Sequence, residues 1–257
     1  MFYCKMDIVQ ELQLFYNKQA SRFHETRKRT WPEFKILLKE IEGFPEEKKT
    51  IKVLEVGCGS WRFYKFLKEN SSKIIDYSGV DISKNLIEIA KMENTDGHFS
   101  VAHMKDFLEK QKQEQYDVIV WIASFHHLEN KTERLFTLEL MYRALKYDGK
   151  LLLLNWAYSE RFLKKYWKAQ LSAIWKMFST LGFWKWNDVL VPRVEKNETY
   201  HRFYHIFTLR EIAILVKRSG FSLKLLSFID RFGHLVDKRR FAKNSLIVAE
   251  KKVIFDD

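Results

Sequence analysis

The sequence predicts an α/β fold: a parallel sheet with helices on both faces, a helical extension before it and a helical insertion after its fifth strand. Three observations predict this. Short apolar runs alternate with amphipathic stretches from residue 51 to residue 156, the pattern of strands joined by crossover helices. The first run, Ile51-Lys-Val-Leu-Glu55-Val, opens directly into the glycine turn Gly57-Cys58-Gly59. The second, Tyr77-Ser-Gly-Val-Asp81, ends on a carboxylate. A strand, a tight glycine turn and an acid at the end of the next strand are the parts of a nucleoside-binding crevice. Glycines let the backbone approach a ligand closely, and one carboxylate can accept from both hydroxyls of a ribose.

The elements follow in order. Residues 6–42 read as helical, with Pro32 near a helix start after Trp31. Strands are expected at 51–56, 74–81, 98–104, 116–123 and 150–156. Helices are expected after Gly59, from Ser83 to Met92 with Ser83 as N-cap, and over 131–145. Asp148-Gly149 marks a turn leading into the fifth strand. Between residues 158 and 186 aromatic residues interleave with lysines and arginines, which reads as a helical insertion rather than a sheet unit. A helix over 209–219 follows. Residues 221–229 and 245–251 then read as a final antiparallel hairpin at the sheet edge, joined by the basic stretch 230–243. We expect one domain over 1–257, made of a helical cap (1–45), a ligand-binding core (51–157), an aromatic and basic insertion (158–207) and a final helix with edge hairpin (208–257).

A formal net charge of +12 favours an anionic partner, nucleic acid first and a membrane surface second. Cys4 and Cys58 have neither metal-ligand spacing nor the makings of a disulfide framework. No metal site is expected, and a reducing compartment fits. No apolar run reaches the length of a membrane span, and residues 1–19 lack the apolar centre of a signal peptide. The expectation is a cytoplasmic protein without a membrane partner.

Gly59 is followed by Ser60-Trp61-Arg62, with no glycine to complete a dinucleotide fingerprint and a bulky ring at Trp61, which argues against NAD or FAD and for a mononucleoside ligand. The chain resembles the class I S-adenosylmethionine-dependent methyltransferases, whose sheet is Rossmann-like. The resemblance rests on Glu55-Val-Gly57-Cys58-Gly59, on Asp81, on the fourth-strand run Tyr116-Asp117-Val-Ile-Val and on Lys146-Tyr-Asp-Gly149-Lys-Leu-Leu before strand five. It implies S-adenosyl-L-methionine as cofactor. Glu55, Gly57, Cys58 and Gly59 would form its loop and Asp81 would hold its ribose. His103 and Met104 would flank its adenine, with Ile122 and Ala123 at the end of strand four.

Segments outside this core narrow the resemblance. One runs Phe15-Tyr16-Asn-Lys-Gln-Ala20-Ser-Arg-Phe23-His-Glu-Thr26-Arg27-Lys-Arg-Thr-Trp31-Pro32. The others are Ile122-Ala123-Ser-Phe-His126-His127-Leu128, Trp186-Asn-Asp-Val-Leu-Val191-Pro192 and His201-Arg202-Phe203-Tyr204-His205-Ile-Phe207. Together they resemble the eukaryotic-type tRNA methyltransferases that esterify 5-carboxymethyluridine at the wobble position. That implies displacement at a sulfonium methyl by a carboxylate, which is already ionised at neutral pH and needs no general base. By the same resemblance Tyr16 covers the cofactor, and Arg27 positions an acid, either the substrate's or the cofactor's own. His126 and His127 line the substrate face, while Arg202, Tyr204 and His205 form the anticodon-side wall. The partners implied are the tRNA anticodon region and a small activating protein.

Two departures matter. The family's Gly-Cys-Gly-Asn-Gly-Lys-Tyr reads Gly57-Cys-Gly-Ser-Trp61-Arg-Phe63 here, and its Val-Pro-Trp reads Val191-Pro192-Arg193. Two other readings stay open: a methyltransferase of a small acid or lipid-like molecule with the insertion as its lid, and a catalytically silent binding subunit that keeps the fold. Within the insertion Leu163, Trp167, Leu171 and Trp175 recur at helical spacing and are expected to pack inward. Its basic residues and Lys238-Arg239-Arg240 are expected to contact RNA.

Overall fold

The computed structural model describes residues 8–26, 29–181, 184–195 and 198–252. Five strands run parallel: β1 (Thr50–Val56), β2 (Ile74–Asp81), β3 (His98–Val101), β4 (Tyr116–Ile122) and β5 (Leu145–Trp156). Later in the chain come β6 (Asp188–Glu195), β7 (Glu198–His205), β8 (Ser222–Ile229), β9 (Leu235–Val236) and β10 (Asn244–Glu250). Among the described residues β6 and β7 form a separate hairpin, and the rest form an eight-stranded sheet in the order β3-β2-β1-β4-β5-β10-β8-β9.

The sheet is buried on both faces, which is why its strands read as near-continuous apolar runs. Alternation along each strand divides the core in two. Ile51, Val53, Val118, Val120, Leu152 and Leu154 face one helical layer. That layer is α3 (Phe34–Glu42), α4 (Arg62–Asn70) and α5 (Lys84–Glu93). Leu54, Val56, Ile119, Trp121, Leu151 and Leu153 face the other. It comprises α6 (Met104–Glu109), α7 (Lys131–Ala144) and α9 (Leu209–Arg218). The helix starts follow local chemistry. Ser83 caps α5 by accepting from Leu86 N at 3.3 Å, and Asn130 caps α7 by accepting from Glu133 N at 2.8 Å.

Strand order reverses between β1 and β4, so a crevice opens beyond their carboxyl ends. Over it lie α1 (Ile8–Lys18) and α2 (Ala20–Thr26).

The elements depart from expectation in four places. β3 stops at Val101 because α6 begins at Met104. β5 starts earlier, at Leu145, and Asp148-Gly149 is a kink within it, with Asp148 at φ 59°. The kink is held by the end of the chain: Asp148 N donates to Lys251 O at 2.8 Å and Lys251 N to Gly149 O at 3.0 Å. β10 pairs antiparallel with β8 but lies between it and β5, so the edge belongs to β9. The insertion is only half helical. α8 (Glu160–Ser179) is followed by the β6–β7 hairpin, and Val189, Val191 and Tyr204 of the hairpin pack with Phe162 and Ala173 of α8.

The orientation of α8 also differs from expectation. Trp167, Leu171 and Trp175 are 54%, 56% and 72% exposed. The helix kinks at Tyr166 (φ −121°, ψ 27°), and beyond the kink it buries its small side, Ala169 and Ala173, against the hairpin cluster. Among the described residues no helix is long and apolar enough to cross a membrane.

Candidate active site

The crevice encloses about 1160 Å³ of empty space, part of it open to solvent. Its floor is the glycine turn. Gly57 N and Cys58 N donate to Val80 O at 2.8 and 3.1 Å, which draws the turn toward β2. Gly57 sits at φ 72°, and a Cβ there would collide with the Ser124 side chain, whose Oγ donates to Val56 O at 3.1 Å. Gly59, at φ 58°, is different. A Cβ there would meet only Phe23 Cε1, at 4.0 Å, so the space above the turn is open to a ligand.

Asp81 ties the floor together. Its Oδ2 accepts from Gly59 N and its Oδ1 from Ser83 N, each at 2.9 Å. Burial pushes its carboxyl up, and these N–H groups oppose the push. An ionised carboxylate offers about four lone-pair sites, so two bonds leave acceptor capacity toward the cleft it lines.

Glu55 also lines the cleft, but it is buried and its Oε2 accepts a hydrogen bond from the Tyr77 hydroxyl. Burial pushes its carboxyl up to about 8, against the Tyr77 bond and the Arg62 charge. It is therefore mostly protonated at neutral pH. Cys58 fills the gap over Gly79, and burial pushes its thiol well up, so it is a packing group rather than a thiolate. Across the cleft stand His103, at the N-cap of α6, and Met104. Ile122 closes β4, and Ala123 turns at φ 53° with its N–H donating to Leu154 O at 2.7 Å.

Trp61 turns its indole out of the crevice. The ring packs 6.5 Å from His24 and lies 5.5 Å under Lys65 Nζ, while neighbouring Ser60 and Arg62 line the cleft. Its backbone is left-handed, φ 74°, a conformation that the family's glycine adopts freely and a bulky residue rarely does.

The side of the crevice nearest the β6–β7 hairpin is built from side chains. His127 Nδ1 lies 2.8 Å from Phe203 O and can only donate to it, which leaves Nε2 to accept from Tyr16 OH at 3.2 Å. Burial pulls His127 down to about 4, despite the Phe203 bond, so the ring is neutral at pH 7. His126 is buried behind it, 4.7 Å from the Tyr204 ring and 5.6 Å from Trp156. Burial pulls it further below its usual value.

Arg202 adjoins this pair. It is 9% exposed, with its guanidinium 4.9 Å over Phe15 and 5.3 Å over Tyr204. Burial works against its charge, but the Tyr204 and Tyr16 phenols outweigh that, and Tyr16 also hydrogen-bonds it. Among the described residues no carboxylate stands within 4.0 Å of it as an ion-pair partner.

His205 belongs elsewhere. It is buried, with Nδ1 2.5 Å from Asp188 Oδ1 and Nε2 2.8 Å from Glu211 Oε1. Arg134 Nη2 approaches the same Asp188 oxygen at 3.8 Å. This network fastens the hairpin to α9 and α7, and His205 serves it as a clamp outside the crevice lining. Arg27 lies outside the described residues.

Sequence reasoning missed Ser124, which locks Gly57, and Phe15, which lies under Arg202. It also missed Phe23, which faces Gly59, although Phe23 lies in the N-terminal block already singled out.

Comparison with known proteins adds to this geometry. The methyltransferase-domain family model matches residues 23–226. The chain is 25% identical over 243 residues to the tRNA (carboxymethyluridine(34)-5-O)-methyltransferase of Xenopus tropicalis, a match covering 79% of this chain and 36% of the frog protein. The chain thus spans about a third of that relative's length. It is 25% identical over 228 residues to the fission yeast (Schizosaccharomyces pombe) protein of the same name, covering 81% and 87%. Among solved structures, a Haloferax volcanii methyltransferase in complex with the Trm112 methyltransferase activator superposes with a TM-score of 0.67 at 15% identity, over 95% of this chain and 99% of that one. A Burkholderia thailandensis 1,6-didemethyltoxoflavin-N1-methyltransferase with bound S-adenosylhomocysteine gives 0.62 at 14% identity, over 98% and 92%.

Proposed function

We propose that this chain, which belongs to the methyltransferase-domain family, methylates a carboxylate, and that the carboxylate is the carboxymethyl group of a tRNA wobble uridine. The fold is that of the class I enzymes, and S-adenosyl-L-methionine is the cofactor. The crevice fits it: open space above Gly59, a carboxylate with spare acceptor sites at Asp81, and His103 and Met104 for an apolar base. Tyr16 and Phe23 lie over it from α1 and α2. When bound, the cofactor supplies an electrophilic methyl group on a sulfonium.

The observation that carries the carboxylate reading is Arg202, which stands behind the crevice lining and meets it at Tyr16. A guanidinium with so little exposure, held by phenols and rings and by no carboxylate among the described residues, keeps a full charge that nothing ionised balances. It is worth keeping where an anion arrives to meet it, and its planar fork takes both oxygens of a carboxylate. His127 is neutral, with both nitrogens already engaged. It shapes the wall and excludes water rather than taking a proton. An acceptor ionised in advance asks for nothing more than alignment and a dry site.

The uridine reading is supported by the names of the relatives that match most of this chain. A small activating protein belongs to the same proposal, supported by the Haloferax neighbour solved with its activator. The test is transfer of tritiated methyl from S-adenosylmethionine to tRNA bearing 5-carboxymethyluridine, with and without such a partner. The expected product is a base-labile methyl ester in the RNA. Label that resists base would overturn the carboxylate reading, and label confined to small acids would overturn the tRNA reading.

A further inference from the structure

Beyond the kink at Tyr166, α8 turns a row of large apolar side chains to solvent. Trp167, Leu171, Ile174, Trp175 and Phe178 are all exposed. They recur at i, i+4, i+7, i+8 and i+11 and so form one continuous stripe. A contiguous exposed stripe of this kind marks an interaction surface, unlike scattered single residues. The first turns of the same helix carry the opposite chemistry. Arg161, Lys164 and Lys165 meet Arg240 around a concave groove that also includes Glu160.

We propose that this face of α8 is a docking surface for single-stranded RNA, with the aromatic faces stacking on unpaired bases and the groove holding phosphates. The proposal rests on the tRNA reading above and adds where the RNA is gripped outside the crevice.

Charge complementarity supports it. The groove gathers four cations in a concavity that a polymer's phosphates can enter, in a chain whose formal net charge is +12. Lysines also lie over neighbouring rings, Lys165 Nζ 5.1 Å from the Tyr166 centroid and Lys168 Nζ 5.5 Å from that of Trp167. A flat ring beside an ammonium is the pairing that takes a base and its phosphate together.

Position supports it as well. Trp156, at the carboxyl end of β5, stacks on Tyr166 at 6.3 Å and on Tyr204 at 4.6 Å, and Tyr204 lies 4.6 Å from His127. A run of rings therefore joins the kink of α8, where the stripe begins, to His127 in the crevice lining.

A lipid surface fits less well. A helix lying in a membrane interface carries its cations opposite a long apolar face, on a solvated side. Here the side opposite the stripe is packed on β6, and the densest group of cations, Arg161, Lys164 and Lys165 with Arg240, lies in a groove at one end of the helix.

The test uses the whole chain and two double variants, Trp167→Ala with Trp175→Ala, and Lys164→Ala with Lys165→Ala. Anisotropy of a labelled anticodon stem-loop should show the tryptophan variant binding at least about tenfold more weakly. The lysine variant should lose about 1.4 from the slope of log affinity against log salt. Calorimetric affinity for S-adenosylmethionine should be unchanged in both. Unaltered stem-loop affinity in both variants overturns the proposal. So does tryptophan-dependent binding to vesicles of phosphatidylserine and phosphatidylcholine with RNA affinity intact. A wild-type dimer that the tryptophan variant converts to monomer, again with RNA affinity intact, would assign the face to a second copy and overturn it too. These readouts involve no methyl transfer, so failure of the carboxylate reading and failure of this one remain distinguishable.

Discussion

The floor of the crevice and the side-chain wall beside it are built from different materials. The floor is backbone: Gly57 and Gly59 in left-handed conformations, with N–H groups aimed at Val80 O and at the Asp81 carboxylate. The wall is side chains: a neutral imidazole held by a phenol and a carbonyl, and a buried guanidinium clasped by two rings. A backbone-built floor can hold one ligand and change little in sequence. A wall of side chains can be re-specified one residue at a time, which is where acceptor choice belongs.

The largest effect expected on the floor concerns protonation. Glu55 is held in the fold with its carboxyl raised to about 8, against an ordinary value of 4.5. The folded chain therefore binds a proton that the unfolded chain has released between those values. Stability contributed this way is complete below about pH 4.5 and is lost as pH rises toward 8, with a slope of up to about 1.4 kcal/mol per pH unit. Glu55→Gln should remove that slope in denaturation series run from pH 5 to pH 8. A variant whose slope matches the wild type would show that the acid is not held neutral.

The wall is tested through Arg202. Arg202→Met should lower kcat/KM for the carboxylate acceptor on the order of 100-fold, the size expected when a buried charge partner is removed. Cofactor affinity should not change. Thermal stability should change little, since methionine keeps the packing against Phe15 and Tyr204 while no carboxylate among the described residues loses a partner. A large loss of stability together with normal turnover would make Arg202 a packing residue and leave the carboxylate reading without its main support.

These two regions were not equally legible in the sequence. The turn, the carboxylate at 81 and the order of the parallel strands could be read because each is local: glycine at a left-handed position, an acid at a strand end, apolar runs at regular intervals. The wall joins residues far apart in the chain. Tyr16 and His127 are 111 positions apart, and His127 and Phe203 are 76. Local periodicity carries no information about such contacts. His205 sits in the same motif as Arg202, yet Asp188 and Glu211 draw it into a clamp. The face of α8 was misjudged because helical spacing marks one apolar side without saying whether that side meets protein or solvent. The kink at Tyr166 and the small side of Ala169 and Ala173 decide that.

A smaller effect is expected at Asp81, where floor and ligand meet. Asp81→Ala should weaken cofactor binding by about 1–3 kcal/mol, as for a charged acceptor lost from a buried site. Asp81→Asn should fall between, because one amide oxygen can replace one of the two acceptors of Gly59 N and Ser83 N. Calorimetry that finds equal affinity in all three would reduce Asp81 to a brace for the turn.

The smallest effect separates backbone from side chain within one residue. Trp61 holds a left-handed backbone at φ 74°, which costs a non-glycine residue roughly 1–2 kcal/mol. Its mostly buried indole returns about as much through apolar contact, less the cost of an Nε1 buried without a hydrogen-bond partner. Trp61→Gly gains the first and loses the second, so its net change should stay within about 1 kcal/mol. Trp61→Ala loses the indole and keeps the strain, so it should melt below Trp61→Gly, the reverse of the usual order of alanine and glycine near a helix start. Both should bind S-adenosylmethionine as the wild type does, because the indole packs toward His24 and Lys65 rather than into the cleft. If alanine proves the more stable of the two, the backbone at 61 is not the reason a glycine suits that place. If either variant binds the cofactor more tightly, the indole reaches the ligand after all and the floor is not built from backbone alone.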